Sequence, residues 1–216
     1  MRYLSCLLLA TASASANTII QFGGDEAHLG DPMWQSQIGG DQIIDWLGNS
    51  SSDSAASGSV GGSSGQLPGA TLISETFALT LRSESVEGGT GTYSSGNPNV
   101  LGVGPTTRNA KFDAGSPNES WTFSFDQEVT LRRLVFSALD FDGETIELSV
   151  DGLLAPITFN RTDTNMVPVT YPSLQSTRFV YSLDPPLELP ADTGITLAAT
   201  NGSWGLQAVV VEYASP

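Results

Sequence analysis

The chain has one cysteine and one histidine, and these two scarcities remove whole classes of chemistry. Histidine-rich zinc sites and Cys–His dyads each need several such side chains, so one copy cannot assemble them. A Ser–His–Asp triad would have to use His28, in Asp25-Glu26-Ala27-His28, and no Gly-x-Ser-x-Gly elbow accompanies it. Basic residues are also sparse: eight Lys and Arg stand against 23 Asp and Glu, a formal net charge of -15. That balance repels nucleic acid and anionic lipid, whose capture needs clustered Lys and Arg. It keeps a protein soluble and suits a medium rich in salt or calcium, where cations screen and bridge carboxylates. No later stretch approaches the roughly eighteen apolar residues of a membrane span. The C-terminal Val209-Val210-Val211-Glu212-Tyr213-Ala214-Ser215-Pro216 carries no anchor helix and no basic tail. Helical periodicity is missing too, except at residues 35–47, where Ile43, Ile44 and Leu47 suggest a short helix weakened by Gly39-Gly40.

What is present begins at the N-terminus. Met1-Arg2-Tyr3 is a short basic start, residues 4–10 are an apolar run, and Ala14-Ser15-Ala16 is a small-residue cleavage motif. Together they predict a secretory signal peptide over residues 1–16, removed before Asn17. Cys6, too early for a lipoprotein attachment site, leaves with it, so the mature chain is expected to form no disulfide. Loss of Arg2 takes the net charge from -15 to -16. The expected product is one secreted, extracellular domain over residues 17–216, able to bury roughly 70% of its unfolded surface without a staple. Within it, residues 48–69 are Ser- and Gly-rich with only Val60 and Leu67 as large apolar residues, which predicts a flexible loop. Residues 84–105, with Gly88-Gly89, Gly91, Gly96, Asn97-Pro98, Gly102 and Gly104, predict a long loop with turns.

Elsewhere hydrophobicity alternates with period two. Phe77, Leu79 and Leu81 share one parity, as do Trp121, Phe123 and Phe125, then Ile146, Leu148 and Val150. Ile157 and Phe159, Phe179, Tyr181 and Leu183, and Ile195 and Leu197 continue the pattern. Such runs predict half-buried antiparallel strands. Residues 206–213 are apolar at both parities, as in a strand buried on both faces. Asp142-Gly143, Asp151-Gly152, Asp184-Pro185-Pro186 and Asn201-Gly202 are turn formers between these runs. The expected fold is all-β: an antiparallel, jelly-roll-like β-sandwich of about eight to ten strands with long Gly/Ser-rich loops.

One segment has a familiar cadence. Leu101-Gly102-Val103-Gly104 and Phe112-Asp113 precede Asn118-Glu119-Ser120-Trp121-Thr122-Phe123-Ser124-Phe125-Asp126. Val129-Thr130-Leu131, an acidic turn at 140–144 and Leu148-Ser149-Val150-Asp151-Gly152 follow. Over about half the chain this resembles the extracellular β-sandwich domains of secreted bacterial PEP-CTERM (exosortase-sorted) proteins, and the jelly-roll scaffold of carbohydrate-binding modules. The resemblance implies an extracellular, glycan-directed role. The sorting tail of the first group (Pro-Glu-Pro, an apolar helix and a basic cluster) does not follow in this sequence.

Three chemistries remain open. Asp140-Phe141-Asp142-Gly143-Glu144 places three carboxylates in one turn, which suits hard-oxygen coordination of calcium through Asp140, Asp142 and Glu144. A plain Asp-Gly hairpin explains the same residues. Sugar contact needs exposed aromatic faces, for which Trp204, in Asn201-Gly202-Ser203-Trp204-Gly205, leads Trp34 and Tyr93. Any of the three rings can instead cap the core. A glycan hydrolase needs only two facing carboxylates, but the Glu-x-Asp-x-x-Glu pattern of one jelly-roll glycosidase group is absent. The expected role is therefore non-enzymatic binding of extracellular polysaccharide or matrix material, with a structural matrix protein and a hydrolase as alternatives.

Overall fold

Period-two patterning becomes strand after strand. The computed structural model describes residues 15–21, 36–40, 42–45, 70–73, 80–87, 91–94, 100–103, 111–115, 118–137, 139–171 and 176–214. In chain order the first strands are β1 (Ser15–Gln21), β2 (Gln42–Asp45), β3 (Ala70–Ile73), β4 (Thr80–Glu87) and β5 (Gly91–Ser94). Next come β6 (Val100–Val103), β7 (Phe112–Asp113), β8 (Ser120–Phe125), β9 (Val129–Ser137) and β10 (Thr145–Val150). The last are β11 (Ile157–Asn160), β12 (Met166–Tyr171), β13 (Ser176–Leu189), β14 (Ile195–Asn201) and β15 (Ser203–Ala214).

They form two sheets. The larger runs β12-β13-β9-β15-β1-β2, with β6 and β7 also paired to β15 and β5 paired to β6. The smaller runs β11-β10-β14-β8-β4-β3. The connections β8–β9, β9–β10, β11–β12, β13–β14 and β14–β15 pass from one sheet to the other, and side chains of both sheets meet in one core. Every pairing is antiparallel except β1 with β2, which is parallel. The expected all-β sandwich is thus what the chain forms.

Alternation along β8, β10 and β14 sends one parity of each into the space between the sheets. Trp121, Phe123 and Phe125 of β8 meet Leu134 and Phe136 of β9, Tyr181 of β13, and Val209 and Val211 of β15 in one apolar core. Phe159 stacks on Tyr181 with ring centroids 3.9 Å apart, and Trp121 stacks on Phe123 at 4.5 Å. The larger sheet is apolar on its other face as well. Ile19, Val135, Val180, Ala208 and Val210 form a second cluster there with Val169 and Ile38. Ile38 ends a short helical turn at 36–38, and Arg133 Nη1 donates to its carbonyl at 2.6 Å. The chain leaves that turn through Gly39 at φ +77, where a side chain would run into the Arg133 guanidinium. This explains why β15 reads as apolar at both parities.

Several local expectations are corrected. The described residues hold fifteen strands rather than eight to ten, partly because the expected 84–105 loop contains the paired strands β5 and β6. Pairing of Leu101 with Leu206 recruits that segment, so a tertiary contact overrides its Gly-rich composition. Ile43 and Ile44 lie in a strand beside β1, not in a helix. Asp142-Gly143 is no hairpin turn: it joins β9 of one sheet to β10 of the other. Asp184-Pro185-Pro186 falls inside β13, where the register with β9 shifts between Ser182 and Leu187. Residues 48–69, 77–79, His28 and Trp34 lie outside the described residues.

Candidate functional site

The acidic turn at 140–144 and Trp204 share one rim of the sandwich. Glu144 Oε1 accepts from the Ser203 N–H at 3.4 Å, immediately before Trp204, and its Oε2 accepts from the Phe141 N–H at 3.1 Å. Glu144 is 4% exposed, so its carboxylate is a buried staple between two turns. Gly202, at φ +72, lets β14 and β15 turn tightly over it; a side chain there would collide with Glu144 Cγ. Asn201 Nδ2 donates to the Gly143 carbonyl at 2.6 Å and closes the same corner.

The other two carboxylates are engaged separately. Asp140 pairs with Lys111 at 3.3 Å, and Asp142 pairs with Arg161. Arg161 also donates through Nη1 to the Asp140 carbonyl at 2.5 Å and the Leu139 carbonyl at 3.3 Å, so one guanidinium clasps the turn from the neighbouring β11 corner. Asp140, Asp142 and Glu144 therefore point to three different partners, not to one centre. No group of three acidic, His or Cys side chains gathers to hold a metal among the described residues. Each carboxylate of the expected calcium triad has its own partner within the chain, in ion pairs and backbone bonds.

Trp204, expected as an exposed ring, lies in the core. Its side chain is fully buried, with its ring 4.6 Å from Phe112 and 5.4 Å edge-on to Phe136. A ring enclosed in this way offers no face to a sugar; it plugs one end of the core. Its indole N–H finds no hydrogen-bond partner among the described residues. Tyr93 sits in β5, in register with Leu101 of β6. Trp34 lies outside the described residues.

Two arrangements escaped the sequence reading. Glu119 Oε2 accepts from the Asp113 N–H at 2.7 Å, and burial, with Asp113 nearby, raises the Glu119 pKa above its ordinary value. No spacing signal exposes that pair, because the intervening chain must loop back to form it. The second is the outward face of the smaller sheet. With Trp121, Phe123, Leu148, Val150, Ile195 and Leu197 buried, alternation turns Thr122, Thr196 and Ser149 outward. They stand on one rung: Thr122 faces Thr196, and Thr196 faces Ser149. The Thr122 and Thr196 hydroxyls are 2.8 Å apart, and Ser85 holds the next register position on β4. The neighbouring rung carries Glu87, Ser120, Ala198, Glu147 and Thr158. The sequence did contain the signal, in the polar positions between the core residues, but not the register that aligns them.

No family model, curated protein or solved structure matches this chain. Among the described residues no helix is long and apolar enough to cross a membrane.

Proposed function

We propose that this is a secreted, non-enzymatic β-sandwich protein that binds neutral extracellular polysaccharide on the outer face of its smaller sheet. The observation that supports this most is the hydroxyl rung Ser149–Thr196–Thr122, aligned across three adjacent strands. Neighbouring strands lie about 4.8 Å apart. A polymer of hydroxylated rings running across the strands meets donors and acceptors at a spacing close to its own repeat. Each contact is weak and many in series give avidity. Glu147 and Glu87 are the carboxylates at register positions on these two rungs, and they add to a net charge of -15 that disfavours acidic glycans. Export rests on the Met1-Arg2-Tyr3 start, the apolar run and the Ala14-Ser15-Ala16 motif.

Thr122→Val with Thr196→Val removes both hydroxyls while keeping β-branched side chains that suit a strand. In native gels cast with soluble neutral glucans or xylans, the parent should be retarded, and the double variant should bind at least tenfold more weakly at an unchanged melting temperature. A parent that runs unretarded in every gel would favour the structural matrix alternative. Release of reducing ends from the same polymers would instead establish a hydrolase.

A further inference from the structure

We infer that folding hides the protein's own processing site, so that the Ala16–Asn17 bond can be cut only while the larger sheet is unformed. This rests on reading residues 1–16 as a signal peptide. The bond lies inside β1, not ahead of it. On the leader side, Ser15 pairs with Ala214 and Ala16 with Tyr213; on the mature side, Asn17 pairs with Glu212 and Thr18 with Val211. A protease that reads an extended segment needs the backbone groups of the residues around the scissile bond for its own strand-like pairing. Here β15 already holds them.

Strand ends fray, so the anchoring beyond the cut decides whether local opening suffices. Thr18, Ile19 and Ile20 are all fully buried. Ile20 belongs to the core between the sheets and Ile19 to the cluster on the opposite face, so β1 is pinned from both sides. β2 pairs with Thr18, Ile19, Ile20 and Gln21 along the other edge, which makes β1 an interior strand. Exposing residues on both sides of the cut means lifting Thr18 out of this setting, and a slip by one residue would turn Ile19 and Ile20 to the wrong faces.

Chain order supplies the timing. The partner strand β15 follows the fourteen other described strands, so residues 15–18 cannot pair until all of these are available. Contacts of such sequence separation form slowly. The cleavage site therefore stays open through synthesis and export and closes when the sheet does. Hydrolysis adds one water across the amide, leaving a carboxylate on Ala16 and an α-amine on Asn17, which then begins the strand.

The test uses the full-length chain and a purified signal peptidase in detergent micelles. The peptidase is added either during dilution of the chain from urea or after refolding, with strand content followed by circular dichroism. A peptide of residues 1–22 reports peptidase activity in both arms. Cleavage at Ala16–Asn17, read by N-terminal sequencing, should be at least tenfold slower after refolding. Equal rates in the two arms would overturn the inference and leave the signal-peptide reading intact. Cleavage in neither arm, or at another bond, would overturn the signal-peptide reading and the inference together.

Discussion

Trp204 stands between Ser203 and Gly205, just after the exposed Asn201-Gly202 turn, and its ring is among the most enclosed in the molecule. The cause is the strand that begins at Ser203: Trp204 already pairs with Phe112 of β7, and its parity puts the ring against Phe112 and Phe136. Truncation to Ala should cost about 3–5 kcal/mol, the usual range for emptying a buried aromatic site. Phe at this position should cost less, because it keeps most of the packing and removes an indole N–H that has no partner among the described residues. Denaturant titration of the two variants checks the order, and a Trp204→Ala protein as stable as the parent would show that the ring is not packed. Small flanking residues made the position read as a loop in the sequence. Only the pairing of β15 with β7 reveals it as core.

At the scale of elements, the 140–144 turn shows how one acidic sequence can serve two chemistries. Three carboxylates within five residues suit a cation if they converge, and suit a corner joint if they diverge to Lys111, Arg161 and backbone N–H groups. The residues that decide between them, Lys111 and Arg161, come from other parts of the chain. Glu144→Gln tests the joint. The amide offers one acceptor where the carboxylate offers two, so one of the two N–H groups loses its partner, at a cost of about 1–3 kcal/mol. A chelator should leave the parent's melting temperature unchanged, while the substitution should lower it in the presence or absence of calcium. A calcium-dependent rise that the variant abolishes would restore the metal reading.

For the whole molecule, the excess of carboxylates sets the response to pH. Burial disfavours the charged form of Glu119, so its pKa is higher in the folded state than in the unfolded chain. The folded state therefore binds the proton more readily, and the stability this contributes is present below the unfolded value of about 4.5. It is lost as pH rises through the higher folded value. Self-repulsion at a net charge of -15 acts in the same direction. Glu119→Gln keeps an acceptor for the Asp113 N–H and removes the charge. The variant should lose less stability than the parent between pH 4.5 and 7, which melting curves across that range can measure. Parallel pH profiles would mean that Glu119 titrates in the fold as it does in the open chain.

The sequence by itself determined that this chain makes strands, which residues of β8, β10 and β14 face the core, and that β15 is buried on both sides. Those properties follow from side-chain parity, which is local and survives any arrangement of the strands. It also carries the basic start, apolar run and small-residue motif on which the proposal of export rests, all within sixteen residues. Only the tertiary structure decided which strands are neighbours, and through that the fate of every candidate site residue it describes. Glu144 became a staple because Ser203 is beside it, Trp204 became core because Phe112 and Phe136 enclose it, and Thr122, Thr196 and Ser149 became one rung through register alone. Pairing between distant strands is set by how two apolar faces close on each other, a property of the assembled sheets that no single segment contains.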